Sequence, residues 1–319
     1  MKDKLLLFVL LLIALFPWEI WSISDDPYVE EGVIEQVVKN PRNILVIVWF
    51  LIYGWYLFLS TLIDKRNLPI WLISACVVAG SNGLNEIMRF IAWMAFVRGG
   101  TILISNMRIV SNFLRSHFFL SLLSLPSLSL PFAGFNENPN RYARDLIYDY
   151  KFGGISLLVV LVLVLLTGSR GALLFLGAFI FVLFVRNRVI LMGVILISIF
   201  LPLIFISDSG LTTGRNLAWL SGISGFLQNP IYGNGWIDVL EYLWESGVPS
   251  TNFHNIWIEI LFRFGLVGLI SFLWLMSRTR LTWIFPFLIL GNVESFLFGY
   301  SMDALMFWGI IFYEKSDIH

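Results

Sequence analysis

Long apolar runs, interrupted by short polar clusters, dominate the chain from end to end. Residues 4–21, 43–63, 118–134, 171–185, 188–207, 255–276 and 281–299 read as helices crossing a membrane, for which about 17–25 apolar residues suffice. Residues 154–169 form a shorter, strongly apolar span. Residues 68–80 and 84–97 read either as two short or tilted helices or as one span with a surface helix. A last stretch, 304–313, is too short to cross unaided. The pattern predicts an all-α, polytopic transmembrane helix bundle of about nine to ten membrane segments.

One sizeable connection, 208–253, lies between spans. Within it NLAWLSGISGFLQ and WIDVLEYLW carry apolar residues at three- and four-residue spacing, which predicts short interfacial helices lying on the membrane. NPIYGNG between them is a turn by its Pro, Asn and Gly content. The chain reads as a single integral membrane domain, 1–319. Its parts are N-terminal spans over 1–134, a middle part over 135–207, the loop 208–253 and C-terminal spans over 254–319.

Lysines and arginines near span ends orient the bundle. Lys2/Lys4, Lys65/Arg66, Arg186/Arg188 and Arg278/Arg280 place four connections in the cytoplasm. Asp25, Asp26, Glu30 and Glu31 then lie outside, as do the turn GSRG (168–171) and the loop 208–253. No small-residue cleavage site follows the first run, whose exit PWEIWSISDD offers Trp18 and Trp21 as anchors, so it reads as an uncleaved span. The orientation conflicts in the middle. Arg98, Arg108, Arg115, Arg141, Arg144 and Lys151 cannot all be cytoplasmic if 118–134 crosses once. The segment NRYARDLIYDYKF (140–152) is too polar to cross. It is either an interfacial amphipathic helix, or 118–134 is re-entrant and broken at Pro126 and Pro131.

Composition supports the membrane reading and narrows the chemistry. Of 319 residues, 58% are hydrophobic and 13% charged, against about 25% charged in soluble domains. The formal net charge is zero, so no basic field suggests nucleic acid. A single cysteine, Cys76, excludes an internal disulfide. No GxxxxGK, HExxH, CxxC…CxxC or GxSxG signature is present, and Asp25 and Asp26 are adjacent rather than spaced as DxD. Neither a cofactor nor a tightly held metal is expected.

What remains is a set of isolated polar groups that orientation brings to the outer face. Arg170 sits in TGSRGALL at a span end, Arg215 in LTTGRNLAW early in the loop, and His254 in TNFHNIWIEILFRFG where the loop re-enters the membrane. Two arginines offer planar forks to phosphate oxygens, and a neutral histidine accepts a proton from a hydroxyl. Each has a structural alternative. Arg170 terminates a helical hairpin and snorkels, Arg215 is a solvated loop arginine, and Asn255 after His254 is a good helix N-cap. His117 reads as interfacial, and His319 is the terminal residue. Trp219, Trp236 and Trp244 either stack on sugar rings or anchor the loop at the membrane. Glu86, Arg89 and Glu294 either line a pathway or pair among themselves.

The order of these segments resembles the O-antigen ligase and polymerase family of bacterial membrane glycosyltransferases. TGSRGALL, an apolar span, TTGRNLAWLSGISGFLQNPIYGNGW and FHNIWIEILFRFGLVGLISFL are similar to the family's SRG turn, its GR…NP…G.G segment and its HN…G..G segment. FNENPN (135–140) resembles its asparagine–proline–asparagine element. The resemblance implies a helical bundle in the bacterial inner membrane with its active site facing the periplasm. The donor would be a glycan on undecaprenyl diphosphate, and the acceptor a sugar hydroxyl of lipid A-core or of a growing glycan. By position, Arg170 and Arg215 would bind the diphosphate, His254 would deprotonate the acceptor, and Asn255 and Ser169 would support them. Transfer would be inverting and metal-independent. The chain departs from the family pattern in its short loop, 46 residues over 208–253, and in the polar segment after FNENPN. Ligase and polymerase chemistries differ only in acceptor. A lipid-linked oligosaccharide flippase would use the same arginines to grip a diphosphate, and a non-catalytic assembly partner is a third reading.

Overall fold

The computed structural model describes residues 2–15, 41–63, 67–122, 139–204 and 215–313. Among the described residues every regular element is helical. The first half comprises α1 (Lys2–Leu15), α2 (Pro41–Trp49), α3 (Trp55–Ile63), α4 (Leu68–Gly80), α5 (Leu84–Arg98), α6 (Gly100–Ser105) and α7 (Met107–Leu122). A π-helical turn, Phe50–Gly54, joins α2 to α3. There follow α8 (Pro139–Lys151), α9 (Leu157–Thr167), α10 (Arg170–Phe184), α11 (Arg188–Ile204), α12 (Arg215–Gln228), α13 (Val239–Glu245), α14 (Ile256–Ser277), α15 (Leu281–Leu290) and α16 (Met302–Tyr313).

Among the described residues two stretches, Leu84–Ser105 and Ile256–Ser277, are long and apolar enough to cross a membrane, and shorter apolar helices accompany them. Residues 68–80 and 84–97 form two separate helices. The stretch at 304–313 becomes α16, whose residues from Met302 to Phe312 are all buried. It packs against α5, α6 and α15, which is where a helix apolar all round belongs. Gly100 and Gly309 lie at the α6–α16 crossing, where a Cβ on Gly100 would stand 2.8 Å from the Gly309 Cα. Small residues allow such backbone approach, the main source of helix association where lipid is the solvent.

Three expectations change. The run 281–299 is not one helix, because α15 stops at Leu290. Gly291 and Asn292 turn the chain, and the Asn292 side chain donates back to the Leu288 carbonyl at 2.9 Å. Residues 291–301 are therefore free to form irregular backbone. Second, the polar segment at 140–152 is not on the surface. As α8 it packs against α7, α9 and α10, with Tyr142, Asp145, Tyr148 and Asp149 buried. Its charges are met inside: Arg144 Nε donates to Asp303 Oδ2 at 2.8 Å and the Tyr148 hydroxyl to Asp303 Oδ1 at 2.6 Å. Third, His117 is not simply interfacial; its Nδ1 lies 3.3 Å from Asp149 Oδ2. The re-entrant alternative for 118–134 falls mostly outside the described residues, as does the acidic segment with Asp25, Asp26, Glu30 and Glu31.

The connection 215–253 folds against the first half of α14 around its own apolar cluster, including Ala218, Trp219, Leu243, Phe253, Ile258 and Phe262. The turn NPIYGNG inserts where α14 breaks. Gly265 adopts φ +61°, a conformation that a side chain resists, and a Cβ there would run into the Ile231 carbonyl. The amides of Leu266 and Val267 that the break releases donate to the carbonyls of Pro230 and Ile231 at 2.9 and 3.2 Å.

Candidate functional site

Three helix ends converge. Gly168, at φ +68°, closes α9 in the left-handed conformation. Ser169 then starts α10, its hydroxyl accepting from the Ala172 amide at 3.2 Å while Thr167 Oγ1 accepts from the Ser169 amide. The GSRG turn is thus a C-cap followed by an N-cap. Arg170, the first residue of α10, is exposed and has no ion pair among the described residues.

At the start of α14, Asn255 caps the helix by accepting from the amides of Trp257 and Ile258 at 2.9 and 3.2 Å. The same residue fastens the irregular segment after α15. Its amide donates to Ser295 Oγ at 3.1 Å, and the Ile256 amide donates to the Gly291 carbonyl at 2.7 Å. Trp257 Nε1 donates to Asn292 Oδ1 at 3.1 Å. These bonds carry Glu294 to His254.

Glu294 is the centre of the site. Its Oε2 lies 3.6 Å from His254 Nδ1 and its Oε1 lies 3.6 Å from Arg215 Nη2, both ion-pair distances rather than hydrogen bonds. Arg215 Nη1 also donates to the Val293 carbonyl. A Cβ on Gly171 would stand 3.6 Å from Glu294 Oε1, so the N-terminus of α10 borders the same carboxylate. Burial pushes the Glu294 carboxyl up. His254 foremost, then Arg144 and Arg215, outweigh it and hold the carboxyl below the ordinary carboxylate range.

His254 is held in an unusual backbone conformation. At φ +49° it is the non-glycine residue with positive φ among the described residues, and its amide donates to Asn252 Oδ1 at 2.8 Å. Left-handed backbone at a non-glycine residue costs of the order of 1 kcal/mol or more and clusters at working sites. Its side chain retains 22% exposure, with Nδ1 turned to Glu294.

Beside this group lies a cleft of about 250 Å³ that includes Asn252, Ser295, Arg89, Asp238, Arg263 and Trp236. Arg263 is anchored: Nε donates to Glu259 Oε1 at 3.0 Å, Nη1 to the Ile237 carbonyl at 2.9 Å, and the guanidinium lies 4.9 Å from the Trp236 ring centroid.

The structure therefore brings Arg215 and His254 together and places Asn255 and Ser169 as caps, while Arg170 stands at the rim. Glu294, Glu86 and Arg89 do not pair among themselves: Glu86 accepts from the Asn82 amide and Arg89 faces Asp238 at 3.6 Å. Trp219 and Trp236 are buried in packing, which leaves Trp244 as the exposed one of the three. Sequence reasoning missed the role of Glu294, whose signal was the Gly291–Asn292 stop, and of Arg144, which had none.

Among the described residues the protein is all-helical, and a histidine, an arginine and a carboxylate meet where its helix ends converge. A family model described as O-Antigen ligase matches residues 155–273, which supports the O-antigen ligase family that the motifs resemble. That family comprises integral membrane proteins of the ligase and polymerase type, acting on lipid-linked glycans. The matched stretch contains Ser169, Arg170, Arg215, His254 and Asn255, and ends before Glu294. No curated protein and no solved structure matches the chain.

Proposed function

We propose that this chain is a polytopic inner-membrane glycosyltransferase of the O-antigen ligase type, with the Arg215–His254–Glu294 group facing the periplasm. The observation that carries the reading is the meeting of His254 and Arg215 on the two oxygens of one carboxylate. Its wider setting agrees with a bilayer. Large apolar side chains are exposed along α9, α10 and α11, among them Leu158, Leu165, Phe184, Val189 and Ile197.

The donor is a glycan on undecaprenyl diphosphate. Arg215 and Arg170 receive the diphosphate, their forks matching its oxygens, and the N-terminus of α10 adds its partial positive charge. His254, oriented through Nδ1 by Glu294, takes the acceptor hydroxyl proton on Nε2. The acceptor oxygen forms its bond to the anomeric carbon from the face opposite the phosphate. The bond from that carbon to the phosphate oxygen breaks, and its electron pair leaves on the diphosphate, stabilised by the arginines. Configuration at the anomeric carbon is inverted. The cleft beside Asn252 and Ser295 is the approach for the acceptor sugar.

A polymerase would run the same steps with a second donor chain as acceptor. Transport is the weaker reading, because the turn 229–235 fills the break in α14 at Gly265, its Asn234 and Gly235 amides donating to the carbonyls of Phe262 and Arg263. Purified protein reconstituted with an undecaprenyl-diphosphate glycan and offered either lipid A-core or a second donor chain distinguishes these: the glycosylated product names the acceptor. Movement of the lipid across the bilayer with neither acceptor glycosylated would favour the transporter.

A further inference from the structure

At the end of the bundle opposite Arg170 and Glu294, four arginines surround one cleft of about 320 Å³. Arg186 and Arg188 come from the α10–α11 connection, and Arg278 and Arg280 from the α14–α15 connection. The 15 residues of α10 separate this cleft from Arg170 by roughly 22 Å at 1.5 Å per residue. All four arginines are exposed. Arg188 donates to the Ser277 carbonyl at 3.3 Å, which ties the two connections together, and Arg278 lies 4.9 Å from the Trp274 ring centroid.

A second groove, of about 430 Å³, shares Arg186, Arg280 and Thr282 with the first. Its walls are apolar: Phe179 and Val182 of α10, Trp283 and Phe287 of α15, and Ile310 of α16. Lys151 stands at its edge, with Nζ 5.7 Å from the Phe179 ring centroid. Among the described residues no aspartate or glutamate lines either space.

We infer that these two spaces form a binding site for one anionic phospholipid, its phosphate in the arginine cleft and an acyl chain in the adjoining groove. Guanidinium forks match phosphate oxygens, and basic pockets between helices at a membrane surface recognise anionic headgroups. A free phosphate would leave the groove unfilled. A zwitterionic headgroup would bring its ammonium among five cations. The bound lipid bridges the α10–α11 and α14–α15 connections, and so steadies α10, whose far end carries Arg170, and α15, whose far end leads to Glu294. The inference is independent of the transfer chemistry.

The test uses the full chain purified in detergent, with phosphatidylglycerol, phosphatidylcholine and inorganic phosphate as probes, read by native mass spectrometry. The wild type is expected to retain one phosphatidylglycerol under conditions that strip phosphatidylcholine. The variant Arg186→Gln/Arg280→Gln is expected to bind it about tenfold more weakly or worse. Equal retention of both lipids, unchanged retention by the double variant, or displacement by equimolar inorganic phosphate would overturn the inference. If the double variant fails to fold, Val182→Trp decides: it fills the groove, keeps every arginine, and must lose the lipid.

Discussion

Glu294 Oε2 faces His254 Nδ1 at 3.6 Å, while the other oxygen of the same carboxylate faces Arg215 at the same distance. The carboxylate thus orients the imidazole and holds the guanidinium before any phosphate arrives. On the proposed chemistry it works through His254. Glu294→Gln is expected to lower kcat by about 100-fold or more, with a much smaller rise in the donor KM as Arg215 loosens. A matched rise in KM with kcat intact would make Glu294 a binding residue instead.

The same carboxyl gives a pH signature. Its folded pKa lies below the ordinary value of 4.5, so its contribution to stability is complete above that value and fades as pH falls through the lower folded one. The wild type should therefore melt above Glu294→Gln at pH 7, with the difference shrinking in acid below the ordinary carboxylate range. Thermal melts at both pH values check this. A gap that widens in acid would reverse the sign.

Arg170 and Arg215 should respond differently to lysine. Arg170 is exposed and has no ion pair among the described residues, so Arg170→Lys is expected to leave protein level and melting temperature intact. Transfer should still fall by about 10- to 100-fold through loss of the fork, from roughly 1.5–3 kcal/mol per charged hydrogen bond. Arg215→Lys loses the bond to Val293 as well and should also lower stability. Full activity in Arg170→Lys would reduce Arg170 to a turn residue.

Asn255 couples fold to site. Asn255→Ala removes the cap of α14 and should cost about 1–2 kcal/mol of stability. Activity should drop with it, because the lost side-chain amide also donates to the Asn292 carbonyl at 3.4 Å, on the segment that carries Glu294. Asn255→Asp keeps the acceptor oxygens of the cap but not the donor to Asn292, and should restore only part of the stability. Melting temperature and transfer rate, measured on both variants, test the link.

Asp303 is the buried partner of Arg144 and Tyr148. Asp303→Asn strands a buried guanidinium and should destabilise by about 3–5 kcal/mol, whereas Arg144→Met/Asp303→Leu should recover part of that loss, the Tyr148 hydroxyl being left without its acceptor. Detergent melts of the two variants distinguish a paired charge from a surface one.

Much of the bundle was legible in the chain because apolar runs announce helices whatever they pack against. The runs at 43–63, 171–185 and 255–276, and the described part of 188–207, fall on observed helices. The burial of α8 was not legible. NRYARDLIYDYKF is polar by composition, and what neutralises it, Asp303 and His117, lies far away in sequence. Likewise 304–313 is short as a crossing helix but sufficient as an inner one. For the site, Arg215, His254 and the Asn255 cap were visible as local motifs. Glu294 was hidden inside an apparent span, and only the fold shows that α15 ends before it.

The most direct measurement of the central claim is product analysis in proteoliposomes. Wild-type protein and His254→Ala, matched in amount, receive an undecaprenyl-diphosphate glycan with acceptor. The account predicts a new glycosidic bond of inverted configuration, one undecaprenyl diphosphate released per bond formed, and a rate about 100-fold lower or worse in His254→Ala. Equal rates in the two proteins, or glycan lipid crossing the bilayer with no bond formed, would contradict it.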